Sequence, residues 1–146
     1  MEAIKTARDF FDACEMRFSG WAGCRPYVED NATFHSAAGS YGNIQTIEAY
    51  CQQIQGAFTT TFAGSTGEVH AVAYDPEQRV VLLYGDSLAH HTGDGGPVPA
   101  TFQKAKIPFV FALYMSDAGK IKHLEKIYDE ASGREKLGWP PLAKAA

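Results

Sequence analysis

The sequence predicts an α+β domain in which a curved antiparallel sheet packs on amino-terminal helices and encloses a pocket. Three observations carry that expectation. Apolar residues recur at helical steps as far as Phe58, and the apolar period shortens to two after Gly67. The runs of the second kind are joined by short turn-forming peptides. Helices first and a meander of strands afterwards is an α+β order.

The first element is a helix with Ile4, Ala7, Phe11, Cys14 and Phe18 on one side and Lys5, Asp9, Asp12 and Glu15 on the other. Ser19-Gly20 breaks it. A second short helix carries Trp21, Cys24, Tyr27 and Val28, bent or cut short by Pro26. Asn31 to Ser36 reads as a strand, and AAGSYGN after it has to be irregular. Thr46 caps a third helix whose apolar stripe is Ile47, Tyr50, Cys51, Ile54 and Phe58. Four strands follow: Glu68 to Tyr74, Arg79 to His91, Thr101 to Met115 and Lys120 to Asp129. DPEQ and SDAGK are tight connections suited to antiparallel neighbours, TGDGGPVP is a longer irregular loop, and GREKLGWPP adds a short helix that stops at Gly138-Trp139-Pro140. Long strands coil, a coiled sheet is concave, and helices closing the concave face leave a cavity that is the default place for a ligand.

Composition narrows the function classes. At 146 residues the chain fits one domain. A net charge of -4, with Lys and Arg nowhere clustered, gives no footprint for nucleic acid. No run approaches the ~20 apolar residues of a membrane span. The opening MEAIKTARDFFDACEMRF alternates charged with apolar residues, unlike a signal peptide, so a cytoplasmic protein is expected. Cys14, Cys24 and Cys51 are odd in number and form no C-x-x-C pair, which indicates neither a disulfide framework nor a zinc site; small buried hydrophobes are their expected role. The cluster at Gly93 to Gly96 runs into prolines and a strand rather than a helix, so it builds no phosphate cradle. No metal, nucleotide or other cofactor is expected.

The order helix, helix, strand, helix, long meander comes with four local segments. These are YVEDNATFHSAAGS, the HHTG segment at His90 to Gly93, the DAGKI hairpin and the ending IYDEASGREKLGW. Together they resemble the nuclear transport factor two-like fold and its SnoaL-like branch, in the superfamily of polyketide cyclases and ketosteroid isomerases. The resemblance spans nearly the whole chain and implies a single SnoaL-like domain over residues 1–146. It implies no one reaction, because the fold hosts isomerases, cyclases, dehydratases, epoxide hydrolases and binding modules. Three chemistries of the superfamily fail to carry over. The base position of ketosteroid isomerases falls on Ser36, which cannot take a proton from carbon unaided. The acid–base Asp and partner His of SnoaL-type cyclases fall on Lys126 and Ala112. The Arg and two Asp of limonene-type epoxide hydrolases have no counterpart, since no acid lies between Asp94 and Asp117.

The residues left for chemistry are few. His91 closes a strand at the mouth of the Gly-rich loop and is either a solvated loop residue or a general acid or base, whereas His90 is expected to be solvated. On the last strand Lys122, Leu124, Lys126 and Tyr128 alternate with His123, Glu125, Ile127 and Asp129, so both faces are mixed. The resemblance puts Lys126 on the pocket side, as base, Schiff-base nucleophile or anion anchor; alternation alone leaves open an exposed lysine with a buried stem. Tyr114 is the first expected partner for Lys126 and Ser36 the second. Lys126, His91 and Tyr114 form the expected catalytic set, and Ser36, Phe34, Tyr27 and Asp129 the expected binding set. For Tyr27, Tyr50 and Tyr114, core packing with a satisfied hydroxyl competes with ligand contact. Phe34, Phe109 and Phe111 suit wall and core, and Asp129 also suits a cap for the turn Ala131 to Leu137.

Two functions fit these residues. One is a cofactor-free lyase, isomerase or cyclase acting on a hydrophobic carbonyl compound. The other is a non-catalytic domain that binds an apolar small molecule or dimerises. A homodimer through the outward sheet face is expected, with Phe109 or Phe111 in that face depending on register.

Overall fold

A computed structural model describes residues 1–143. Helix α1 (Glu2–Phe11) runs into a π-helical turn at Asp12–Met16. Helix α2 (Gly20–Cys24) and a 3-10 turn at Arg25–Tyr27 lead to β1 (Val28–Ser36). Pro26 lies inside that 3-10 turn, so α2 stops short, and Val28 starts the strand instead of ending the helix. A second 3-10 turn at Gly39–Tyr41 precedes α3 (Ile47–Phe58), which the Thr46 side chain caps by accepting a hydrogen bond from Ala49 N. The meander is β2 (Thr66–Asp75), β3 (Val80–His90), β4 (Lys104–Met115) and β5 (Ile121–Tyr128), and α4 (Glu130–Lys136) follows.

The sheet order is β1-β5-β4-β3-β2. The four meander strands pair antiparallel in chain order, as their turns require. The first strand joins the last, and it does so parallel, with Ser36 opposite Lys126. The sheet is therefore mixed and open rather than purely antiparallel.

Strand β4 sorts the two faces. Ala105, Ile107, Phe109, Phe111, Leu113 and Met115 point inward and are buried, Phe109 and Phe111 against Phe11 of α1 and Ala105 and Ile107 against Leu137 at the end of α4. Phe109 and Phe111 are two residues apart and share that inner face, stacked with and edge-on to Phe11. This corrects the expectation that one of them faces outward. The outward face instead exposes Leu82, Tyr84, Tyr114 and Ile127. A bulge corrects a second point. Tyr114 pairs with His123 and Met115 with Ile121, so Lys122 is the extra residue and lies exposed, leaving Leu124, Lys126 and Tyr128 to face inward.

The end of α4 fixes the far wall. Gly138 takes φ +76°, Gly138 N donates to Glu135 O, and Trp139 N donates to Arg134 O at 2.8 Å. This is a Schellman close, which only a left-handed residue permits cheaply. It turns Trp139 back onto the sheet.

Candidate active site

Between the inner sheet face, α1, α3 and the carboxy-terminal segment lies a cavity of about 220 Å³. Phe11, Phe58, Phe62, Ile107, Phe109 and Phe111 form much of its wall. Glu15, Gln53, Tyr41, Lys126, Tyr128 and Glu130 supply its polar groups. An apolar chamber with a few convergent polar groups is the usual form of a small-molecule site.

Lys126 is the centre of the polar group. It is 8% exposed, and the cavity is where it surfaces. Its Nζ donates to Tyr50 Oη at 2.8 Å and to Tyr41 Oη at 3.2 Å. It also lies over the rings of Tyr41, Tyr50, Tyr128 and Phe111, at 4.6 to 5.6 Å from their centroids. Ring faces stabilise a desolvated cation by about 2 kcal/mol or more. No carboxylate pairs directly with Nζ among the described residues. An ammonium has three protons, so the two phenols leave one to give.

Glu15 joins this group through Tyr50, whose hydroxyl donates to Glu15 Oε1. Helical periodicity assigned Glu15 to the side of α1 away from the core. The π turn at Asp12–Met16 changes the phase, and Glu15 turns into the cavity. Burial pushes the phenols of Tyr41, Tyr50 and Tyr128 well above their ordinary values, so they stay protonated and able to donate. The chain Lys126 Nζ to Tyr50 Oη to Glu15 Oε1 thus runs in one donor direction, with a cation at one end and a carboxylate at the other.

The remaining sequence-predicted residues are not gathered at Lys126. Tyr114 is three positions from Phe111, the residue directly opposite Lys126, and so stands on the outward face against His123. It is no partner of the lysine; Tyr41 and Tyr50 take that place. Ser36 is buried beside Lys126, but its hydroxyl donates to the Lys126 carbonyl at 2.7 Å and accepts from Ala38 N. It ties β1 to β5 rather than reaching Nζ. Phe34 stacks on Tyr50 at 4.5 Å and holds that ring from behind. Tyr27 packs on the core from the 3-10 turn, away from the cavity wall. Asp129 caps α4, accepting from Ser132 N.

His91 is wholly buried, whereas His90 is partly exposed. The Nδ1 atom of His91 accepts from Trp139 Nε1 at 2.9 Å and from Thr101 N at 3.2 Å. Two N–H donors on Nδ1 place the ring proton on Nε2, which has no partner among the described residues. His91 therefore stands behind the cavity wall and anchors Trp139. Sequence reasoning missed Glu15, Tyr41 and Tyr128. Tyr128 left a signal in its strand alternation with Lys126, and Tyr41 left one as a large aromatic inside the small-residue stretch AAGSYGN.

No protein-family model and no curated protein matches this chain. Solved structures do. IdmH of Streptomyces antibioticus, described as a candidate polyketide cyclase, aligns with a TM-score of 0.76 at 15% identity, over 94% of this chain and 99% of that one. AclR of Streptomyces galilaeus, a candidate hydroxylase, gives 0.74 at 18% identity, over 98% and 89%. An LEH-like epoxide hydrolase of M. tuberculosis gives 0.67 at 14% identity, over 93% and 89%. At such identities the likeness is one of fold, and the fold of this chain is the nuclear transport factor two-like one that SnoaL-like cyclases and ketosteroid isomerase-like proteins share.

Proposed function

We propose that the protein is a cofactor-free acid–base enzyme, of isomerase, cyclase or lyase type, acting on an apolar small molecule that carries a carbonyl group. One observation carries this reading: a buried ammonium that lines an apolar cavity, bonded to two phenols and to no carboxylate. Such a cation is set to receive an oxygen that becomes negative. A carbonyl oxygen accepts a hydrogen bond from the third N–H of Lys126, and the Glu15 carboxylate removes a proton from the carbon next to the carbonyl. The resulting enolate is held by Lys126 and the phenol of Tyr41. Return of the proton to another carbon, attack on a second carbonyl, or loss of a leaving group gives isomerase, cyclase or lyase outcomes. The cation lies in a low-dielectric site and is preorganised, which is where electrostatic stabilisation is largest.

Exchange of α-protons in deuterated water, followed by NMR over a panel of apolar cyclic ketones and β-diketones, tests this. The native protein is expected to catalyse exchange with at least one class, and Lys126→Met and Glu15→Gln to abolish it. Saturable binding with no exchange for any ligand would leave the same cavity as a binding module and overturn the enzymatic reading.

The outward sheet face, with Leu82, Tyr84, Tyr114 and Ile127 exposed, supports a second proposal: a homodimer through that face. Sedimentation of the native protein against Ile127→Lys checks it. A monomer mass for the native protein at high concentration overturns it.

A further inference from the structure

Outside the cavity wall, next to Glu15 in the chain, three thiols meet. Cys14 comes from the π turn, Cys24 from the last position of α2 and Cys51 from α3. Each is at most 1% exposed. Their three Sγ atoms all lie within 4.8 Å of one another, and Cys14 and Cys51 are 3.8 Å apart. At a metal–sulfur distance of about 2.3 Å, sulfurs around one ion are about 3.8 Å apart when tetrahedral and about 4.0 Å when trigonal. The Cys14–Cys51 pair stands at that spacing, and Cys24 lies within 4.8 Å of both.

These are all the cysteines of the chain, brought from three elements whose sequence separations follow no metal-binding pattern. The π turn is one cause, because it sets the phase that directs Cys14 to the cluster while Glu15 faces the cavity. The Cys14 thiol donates to the Cys51 sulfur, and Cys24 Sγ stands within 4.8 Å of both.

We propose that Cys14, Cys24 and Cys51 form a binding site for one Cu(I) ion in three-coordinate sulfur geometry. The donor set argues for the ion. Among the described residues no imidazole or carboxylate completes the group, which disfavours hard cations, and soft sulfur donors select Cu(I) or zinc. Zinc needs a fourth ligand, whereas three sulfurs satisfy Cu(I). Binding changes no oxidation state. Each Cu–S bond that replaces an S–H bond releases one proton to solvent. Because Cys14 and Glu15 are adjacent in one turn, the ion also fixes the backbone that aims Glu15 at Tyr50.

Anaerobic titration of the reduced protein with Cu(I), in competition with a chromophoric Cu(I) chelator, tests the site. The expected result is one copper per chain with sulfur-to-copper ultraviolet absorption. Cys24→Ala is expected to weaken retention by about 100-fold while circular dichroism shows an intact fold. If Cys24→Ala does not fold, Cys51→Ala serves the same purpose, since it removes a different one of the three sulfurs. No retention against the chelator, equal retention by the alanine variants, conversion of Cys14 and Cys51 to a disulfide without bound copper, or tighter binding of zinc than of Cu(I) would each overturn the proposal. None of these measurements depends on turnover, so they stand apart from the enzymatic reading.

Discussion

Lys126 and His91 are both buried polar residues that reach toward aromatic rings, yet they do opposite things. His91 serves its own chain through Nδ1, and its Nε2, without a partner among the described residues, does not line the cavity. Its Nδ1 holds the Trp139 indole and the Thr101 amide, and it ties the loop after β3 and the segment after α4 to one point. Lys126 is held by three tyrosines and a phenylalanine but keeps a proton to give, and it lines an open chamber. Burial of a titratable group is thus no sign of function by itself. What separates the two is whether the remaining hydrogen-bonding capacity faces a cavity or the protein.

Four substitutions break or sharpen that contrast. The largest effect is expected for Lys126→Met, a fall of about 100-fold or more in α-proton exchange. The melting temperature should hold or rise, because a desolvated charge is removed. Loss of stability with unchanged exchange would make Lys126 a structural strut like His91. His91→Leu should do the reverse. Leaving the indole and amide donors unpaired costs about 3 kcal/mol in urea denaturation, with exchange per folded molecule nearly unchanged. Ser36→Ala removes the hydroxyl tie between β1 and β5 and should cost about 1 kcal/mol by the same measurement. Tyr114→Phe, on the outward face, should move stability by less than about 0.5 kcal/mol and leave exchange as it was. A large loss of exchange in Tyr114→Phe would mean that the site extends through the sheet.

Much of the fold was legible because periodicity survives in one dimension. The four meander strands, α3 with its Thr46 cap and the Gly138 stop are written in local pattern and turn chemistry. The partner of β1 was not, since the parallel pairing of Ser36 with Lys126 joins residues 90 apart and no turn announces it. The site was half legible. Lys126 came from a family alignment, Tyr50 from the α3 stripe and Tyr128 from strand alternation, but Glu15 and Tyr41 lie where pattern is weakest. Glu15 is displaced by a π turn that leaves no periodic trace, and Tyr41 sits in a 3-10 turn inside a glycine-rich stretch. The thiol cluster failed for the same reason, because spacing rules see only ligands that share a local element.

The pairing of first strand with last also sets a timetable. Helices α1 to α3 and β1 leave the ribosome early, but among the described residues β1 has only β5 to bond to within the sheet. Apart from the Phe34 N–H, which Gln45 O accepts locally, the sheet-forming backbone groups of β1 wait unpaired until residues up to Lys126 have been made, and so does the aromatic cage, which needs Tyr41 and Tyr50 from one half of the chain and Lys126 from the other. Long-range strand pairing pays its loop-closure entropy before any contact rewards it, so the chain should refold slowly for its size, in milliseconds to seconds. The last event is the zipping of β5 between β4 and β1, and truncation anywhere before Tyr128 should yield a chain that cannot close at all.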